Sequence, residues 1–224
     1  MIVYIPARAG SKRIKNKNIK KINNTPVLEI LLNNLKKLKF INHVYVSTDS
    51  KKIADIANEN NAITLNLREK NLSSDKSGFM DLIKKDLPRF CKHSNDQEVL
   101  FVLPTSILVT KDILNKCYKL YKKYKPEVLM PCNKIKTYWS IEKKNKKWKP
   151  IFPNYLSINS QDLPETMIDS GSFYYFNYKK IVQYNSLKNV NDLYVFELPS
   201  LNSVDVDSLE DWKELLYKFE YANR

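Results

Sequence analysis

Short apolar segments alternate along most of the chain with longer segments of helical periodicity. Runs rich in β-branched and aromatic residues predict strands at 2–5, 43–47, 62–67, 99–103, 128–130, 172–176, 194–198 and 201–206. Apolar residues recurring every three or four positions predict helices at about 27–38, 53–57, 79–87, 110–121 and 208–221. This alternation favours right-handed βαβ units, and therefore an α/β fold with a mainly parallel sheet flanked by helices.

The pattern changes between about residues 133 and 170. Two apolar segments flank a lysine-rich turn there and predict a hairpin, and an irregular proline-bearing stretch follows at 150–164. We interpret this region as an insertion in a single domain that spans residues 1–224. Its apolar side chains, Trp139, Ile141, Trp148, Ile151 and Phe152, are too many for a short solvated insertion, which indicates an interface.

Composition narrows the class of protein. A chain of 224 residues can bury one sizeable core, and it contains no apolar run of about 18 residues that would predict a membrane span. The start of the chain lacks the pattern of a signal peptide, and Cys91, Cys117 and Cys132 are odd in number and widely spaced. We therefore expect reduced thiols and a cytoplasmic protein.

The formal net charge of +14 raises the alternative of a nucleic-acid-binding protein. However, the lysines are spread over predicted helix faces and loops, and no nucleic-acid-binding motif accompanies them. Nucleic-acid binding therefore remains the less favoured class.

The first predicted strand runs directly into a loop that contains Gly10, Ser11, Lys12 and further cations. Backbone N–H groups and positive charge at the carboxyl end of a strand suit a polyphosphate. The loop is not a Walker A motif, because the second glycine and the Lys-Ser/Thr pair are missing. The alternative is a solvated lysine-rich turn.

The string IPARAGSKRIKNKNI at 5–19 resembles the signature IPARGGSKRIPGKNI of acylneuraminate and related nonulosonate cytidylyltransferases. The resemblance implies a Rossmann-like fold of the nucleotide-diphospho-sugar transferase type. It also implies that Arg8, Lys17 and Asn18 contact the nucleotide triphosphate, with Arg8 and Lys17 acting in catalysis. The wider CTP-binding set in this loop is Ala7, Arg8, Gly10, Ser11, Lys12 and Asn18. Arg8 could instead serve only as an ion-pair partner that anchors the loop.

Two further segments resemble motifs of the same family. LREKNLSSD at 67–75, followed by Ser77 and Gly78, is similar to LRPxELSxD, which implies that Arg68, Ser77 and Gly78 surround the cytidine. LPTS at 103–106 is similar to QPTSP. Leu103 replaces the glutamine that some members use near the sugar, so that contact is absent.

Asp205 and Asp207 are two carboxylates at positions i and i+2 of a predicted strand. Such side chains project to one face and could reach one hard cation. The D-x-D motif of the resembled family binds Mg²⁺, which implies that both residues are metal ligands and that Asp207 acts in catalysis. Alternatively, Asp207 caps the last helix, as Ser208 and Asp211 could in a capping box.

SQDLP at 160–164 and DSGSFY at 169–174 are most similar to the pseudaminic acid branch of the family. This implies that Gln161, Asp169, Ser170, Phe173 and Tyr174 bind the sugar. The chain departs from that branch at Asn159, Ile168, Ser172 and Tyr175, which replace an arginine, a histidine, a glutamine and a tryptophan.

The resemblance as a whole implies an enzyme that transfers CMP from CTP to a nine-carbon 2-keto sugar acid and releases pyrophosphate, with Mg²⁺ as cofactor. Pseudaminic acid is the expected acceptor, with sialic, legionaminic or 3-deoxy-octulosonic acid as alternatives. The family also implies a homodimer formed through the insertion.

Overall fold

The structure, a computed structural model, describes residues 1–74, 77–135 and 138–223. Its strands are β1 (Ile2–Pro6), β2 (Lys21–Ile22), β3 (Thr25–Pro26), β4 (His43–Ser47), β5 (Glu98–Val102), β6 (Val128–Ile135), β7 (Ile141–Lys144), β8 (Lys147–Pro150), β9 (Thr166–Asp169), β10 (Phe173–Asn177) and β11 (Leu193–Glu197). Its helices are α1 (Val27–Leu35), α2 (Lys51–Glu59), α3 (Phe79–Asp81), α4 (Leu87–Ser94), α5 (Lys111–Tyr124), α6 (Tyr178–Ile181) and α7 (Leu209–Ala222). A π-helical turn, Leu82–Asp86, joins α3 to α4, and short 3₁₀ turns cover Lys17–Ile19, Lys70–Ser73, Pro153–Tyr155 and Ser200–Asn202.

The central sheet has seven strands, in the order β11-β6-β10-β5-β1-β4, with β9 also paired to β6. Strands β4, β1, β5, β6 and β11 run in one direction, and β9 and β10 run in the other. The prediction of a mainly parallel sheet flanked by helices is therefore confirmed.

Side chains of β1 alternate between two apolar cores, one on each face of the sheet. Val3 and Ile5 pack in the core that also contains residues of α1, α5 and α7. Ile2 and Tyr4 pack in the core against α4 and α6. Because both faces are covered, β1 is apolar throughout, as is expected of a central strand in a largely parallel sheet. No helix in the described part of the chain is long and apolar enough to cross a membrane.

The prediction of a strand at 62–67 is wrong. Only Ile63 pairs with β4, through hydrogen bonds from the Val46 N–H (3.0 Å) and to the Val44 carbonyl (2.7 Å). Beyond it the hydroxyl of Thr64 bonds to the side chain of Asn58 at 2.9 Å, and the chain leaves the sheet. Leu67 is half exposed, so the apolar residues of this segment do not all face a core.

The prediction of a strand at 201–206 is also wrong. The segment begins in a 3₁₀ turn and continues without regular structure. The Lys218 ammonium donates to the carbonyls of Ser200 (2.6 Å) and Ser203 (3.0 Å), so a side chain of α7 satisfies these groups instead of a neighbouring strand. Asp205 and Asp207 therefore lie on an irregular segment that precedes α7.

A bulge separates β9 from β10, although both pair with β6. Between the Asp169–Cys132 pair and the Tyr175–Leu129 pair, the β9–β10 segment advances by six residues while β6 advances by three. The extra residues lie at 170–172, where Gly171 has a φ of 62°. A left-handed residue at the bend is a place where glycine is strongly favoured.

The predicted hairpin is present as β7 and β8, and its turn residues Asn145 and Lys146 both have positive φ. The insertion predicted at 133–170 is shorter than expected, because its first residues continue β6 and its last residues form β9. Lys136 and Thr137 lie outside the described residues, as does Asp75 of the LREKNLSSD segment.

Candidate functional site

A pocket of about 230 Å³ lies at the carboxyl ends of β1 and β5. The chain passes from β1 to β4 on one side and adds β5 on the other, and the crevice at such a switch point is where open α/β sheets bind ligands. Seven of the residues proposed from the sequence line this one pocket: Arg8, Lys17, Asn18, Arg68, Ser77, Gly78 and Asp205.

The loop after β1 is fixed by hydrogen bonds to its own backbone and to β4. The buried Asn18 amide donates to the Arg8 carbonyl at 2.8 Å, and the Ala9 N–H donates to the Asp49 carboxylate at 2.8 Å. Ala7 is fully buried, and its N–H donates to the Ser47 carbonyl, so neither group can reach a ligand. The role of Ala7 in CTP binding therefore stays a prediction, and neither its side chain nor its N–H supports that role in this conformation. Gly10 is exposed with open space around it.

Arg68 is the most unusual group in the pocket. Its side chain is only 4% exposed, and its Nε donates to the Ser73 hydroxyl at 3.1 Å. Its Nη1 is buried without a hydrogen-bond partner among residues 1–74, 77–135 and 138–223. Burying a charged donor without a hydrogen-bond partner costs free energy. An acceptor that entered the pocket and bonded to this guanidinium would remove that cost.

A second cavity of about 330 Å³ adjoins the first, since Arg8, Lys17 and Asn18 line both. Ser11, Lys12, Arg13 and Asp207 complete its lining. Four cationic side chains and one carboxylate line this small cavity, and an excess of positive charge suits a polyphosphate.

Asp207 holds the loop after β1 to the segment before α7. Its Oδ1 lies 3.0 Å from Arg13 Nη2 and 3.6 Å from Lys17 Nζ, and Lys17 also donates to the Val206 carbonyl at 2.7 Å. The helix cap is made by other residues: Ser208 and Asp211 form a reciprocal capping box. The alternative in which Asp207 only caps α7 is therefore wrong.

Asp205 lies in a mainly negative environment. Partial withdrawal from water raises the pKa of Asp205, and the charges of Asp207, Asp169 and Asp211 raise it further while Lys17 lowers it. A bound cation would reverse this repulsion. The donor set fits a hard metal ion, because carboxylate oxygens are what Mg²⁺ prefers. Within the described residues no group of three or more His, Cys, Asp or Glu side chains could hold a metal.

Gly171 allows the bulge to lie close to the carboxylate of Asp205. A Cβ at this position would lie 3.0 Å from Asp205 Cγ and 3.1 Å from each of its oxygens. The other two glycines of the chain are not confined in this way: a Cβ on Gly78 would meet only Asp81 Oδ2, at 3.9 Å.

A third cavity of about 590 Å³ borders the first, with Gly78 and Phe79 lining both. Asp169 and Tyr174 line this cavity, and the Tyr174 hydroxyl lies 2.9 Å from both Asp169 oxygens. Burial, followed by the charge of Asp169, raises the pKa of Tyr174. The phenol therefore stays protonated and donates to Asp169, which also accepts from the Gly171 N–H at 3.0 Å.

The other proposed sugar-binding residues lie elsewhere. Phe173 is fully buried in the core on the opposite face from Tyr174, as adjacent strand residues must be. Ser170 is 3% exposed and its hydroxyl lies 2.9 Å from that of Ser172. Direct sugar contact by these two side chains is therefore wrong in this arrangement. Gln161 lines a separate cavity of about 240 Å³ in the insertion.

Sequence reasoning missed several residues of the third cavity: Lys84, Asn185, Leu187 and Lys188. Lys84 belongs to a Lys-Lys pair typical of a solvated helix face, and the segment 185–188 resembles no motif. Phe79, whose ring centroid lies 4.0 Å from that of Phe101, was assigned only to a helix. In the sequence, the loop at 185–188 was indicated only by the two adjacent small polar residues Asn185 and Ser186.

Comparison with known proteins agrees with this fold. A cytidylyltransferase family model matches residues 2–199. The chain is 26% identical to the pseudaminic acid cytidylyltransferase of Campylobacter jejuni over 99% of this chain and 98% of that relative. It is 27% identical to the CMP-N,N'-diacetyllegionaminic acid synthase of Legionella pneumophila, over 95% and 93% of the two chains.

Among solved structures, that of CMP:2-keto-3-deoxy-manno-octonic acid synthetase complexed with CTP superposes with a TM-score of 0.72. The alignment covers 99% of this chain and 98% of the other at 11% identity, which shows a shared fold. Because the family model matches well over half of the sequence, this chain belongs to the cytidylyltransferase family of nucleotidyltransferases.

Proposed function

We propose that the protein transfers CMP from CTP to the anomeric hydroxyl of a nine-carbon 2-keto sugar acid and releases pyrophosphate. Pseudaminic acid is the proposed acceptor. The names of full-length relatives support this class of substrate, and the SQDLP and DSGSFY segments favour the pseudaminic acid branch. Sialic, legionaminic and 3-deoxy-octulosonic acids remain the alternatives.

The observation that carries the proposal is the buried Nη1 of Arg68, which has no hydrogen-bond partner among the described residues. Arg68 lines a pocket that shares lining residues with a cationic cavity and with a larger cavity. A nucleotide in the first pocket would give Arg68 an acceptor and place its phosphates beside Arg8 and Lys17. The sugar acid would occupy the third cavity.

In this arrangement the sugar hydroxyl attacks the α-phosphorus and pyrophosphate departs on the opposite side. Arg8 and Lys17 bind the triphosphate and offset the charge that develops on pyrophosphate. Catalysis of this kind consists mainly of positioning and charge stabilisation. Asp205 and Asp207 would hold Mg²⁺, which supplies neutralisation of phosphate charge.

We also propose a homodimer that covers the insertion. Trp139, Ile141, Trp148 and Ile151 are each between 46% and 64% exposed in one chain. Exposed apolar groups of this size on a single hairpin are typical of an interface.

Ligand binding separates the enzyme from a nucleic-acid-binding protein. CTP with Mg²⁺ should raise the melting temperature, and Arg68→Met should abolish that rise. If the basic surface binds nucleic acid instead, an oligonucleotide should stabilise the protein in a strongly salt-dependent manner, and CTP should not.

The acceptor is then tested by pyrophosphate release with CTP and each acid sugar in parallel. We expect the highest kcat/KM with pseudaminic acid. A preference of about tenfold, or about 1.4 kcal/mol, for sialic or legionaminic acid would overturn that choice and leave the cytidylyltransferase family unaffected.

A further inference from the structure

The third cavity is lined in part by Lys84, which belongs to no motif recognised in the sequence. Its volume of about 590 Å³ is suitable for a monosaccharide-sized ligand, and it meets the nucleotide pocket at Gly78 and Phe79. Besides Asp169 and Tyr174, its lining includes Lys84 and the segment 185–188. Lys84 lies on the π-helical turn between α3 and α4, and π turns occur frequently at functional sites.

The π turn is held firmly against the sheet. Its last residue, Asp86, is only 2% exposed and accepts hydrogen bonds from the hydroxyls of Tyr4 in β1 and Ser47 in β4. Asp86 also lies 2.8 Å from Arg89 Nη2. Because two sheet strands anchor the turn, Lys84 has a fixed point of attachment at the edge of the cavity.

Two lysines, Lys84 and Lys188, and two aspartates, Asp81 and Asp169, line the cavity. Lys85 pairs with Asp81 at 2.8 Å, and Lys188 pairs with Asp169 at 3.1 Å. Lys84 has no carboxylate partner in the part of the chain that the structure describes, and its Nζ donates to the Asn185 side-chain oxygen at 3.2 Å. Lys84 is also only partly exposed, unlike Lys85. The nearby Asp81 is already paired with Lys85, so the partly buried ammonium of Lys84 can bind an anionic ligand group.

We propose that Lys84 binds the carboxylate of the acid sugar, and that Asn185 is a positioning residue that directs the ammonium into the cavity. This assignment rests on the proposed function. It places recognition of the acid within a single chain, in the cavity that Asp169 also lines. Asn159, which replaces the arginine of the resembled motif, contributes no charge, and its amide lies 3.4 Å from an Asp162 oxygen in the insertion.

The test compares two neighbouring lysines on one turn. Lys84→Met removes the charge at the cavity, and Lys85→Met removes the same charge one residue away, where the side chain points to solvent. For Lys84→Met we expect KM for pseudaminic acid to rise about tenfold or more, as is typical for the loss of a hydrogen bond to a charged group. KM for CTP should change less than about twofold, and Lys85→Met should resemble the unsubstituted protein. Lys84→Arg should recover part of the loss.

The methyl ester of the same sugar separates recognition of the acid from a structural effect. Since the ester has no negative charge, Lys84→Met should weaken it far less than the acid. Equal effects on acid and ester, or equal KM values for Lys84→Met and Lys85→Met, would overturn the assignment while the proposed function stands. If the unsubstituted protein releases no pyrophosphate with any acid sugar, the proposed function fails and the assignment fails with it.

Discussion

Gly171→Ala is the substitution for which the structure makes the sharpest prediction. Gly171 has a φ of 62°, and an added Cβ would lie 3.0–3.1 Å from three atoms of the Asp205 carboxyl group. The substitution therefore strains the backbone of the bulge and pushes the carboxylate that is proposed to hold the metal. Both effects arise from one methyl group.

The energetic cost of the backbone strain and that of the close contact with Asp205 can be estimated separately. An L-residue held in the left-handed region costs about 1–2 kcal/mol. Overpacking by one methyl group adds about 1 kcal/mol, at the low end of its usual range because Asp205 lies on an irregular segment that can yield. We therefore expect Gly171→Ala to lower the free energy of unfolding by about 2–3 kcal/mol. A misplacement of about 1 Å in an active site can cost a hundredfold in rate, so a shift of a few tenths of an ångström should cost about tenfold in kcat.

Urea denaturation and steady-state pyrophosphate release measure these terms, and the chain provides its own control. Gly10 has open space around it, so Gly10→Ala should change the unfolding free energy by less than about 0.5 kcal/mol. If Gly171→Ala is as stable as Gly10→Ala, the bulge does not confine Asp205 in the way described. A loss of stability with unchanged kcat would separate the bulge from catalysis.

Two further substitutions test the carboxylate pair and the insertion. Because the pKa of Asp205 is raised in the folded protein, its ionised form costs stability once the pH rises through that pKa. Asp205→Asn should therefore raise the melting temperature at pH 7 without divalent ions and remove the further rise produced by Mg²⁺ with CTP; a lower melting temperature without metal would contradict this electrostatic explanation. Trp148→Glu should convert the proposed dimer to a 26.4 kDa monomer in sedimentation at micromolar concentration, and a monomeric unsubstituted protein would refute the dimer itself.

The features that sequence predicted best are those with local causes. The β1 strand and the cation-rich loop after it are encoded by adjacent residues, and so are the hairpin turn at Asn145 and Lys146 and the capping box at Ser208. Arg8 follows β1, as the strand pattern predicted. Arg68 and Asp205 line the same pocket although the strands predicted next to them are absent, so family resemblance rather than the strand pattern assigned them to it.

The features that sequence missed depend on contacts between distant residues. The 201–206 segment is not a strand because Lys218, in the last helix, takes its carbonyls. Lys84 reads as a solvated helix lysine until the fold brings Asn185, 101 positions later, beside it. Phe173 and Ser170 matched a motif, but the register shift at the bulge decides which side chains face the cavity, and that shift depends on pairing with β6.

Product analysis tests the central claim most directly. CTP, Mg²⁺ and pseudaminic acid are incubated with the protein, and the mixture is resolved by mass spectrometry alongside a pyrophosphate assay. We expect a CMP-sugar and pyrophosphate in equal amounts, with neither formed by Arg68→Met. Pyrophosphate accompanied by free CMP and no sugar conjugate, or no turnover with any acid sugar, would contradict transfer to a sugar acid at this site.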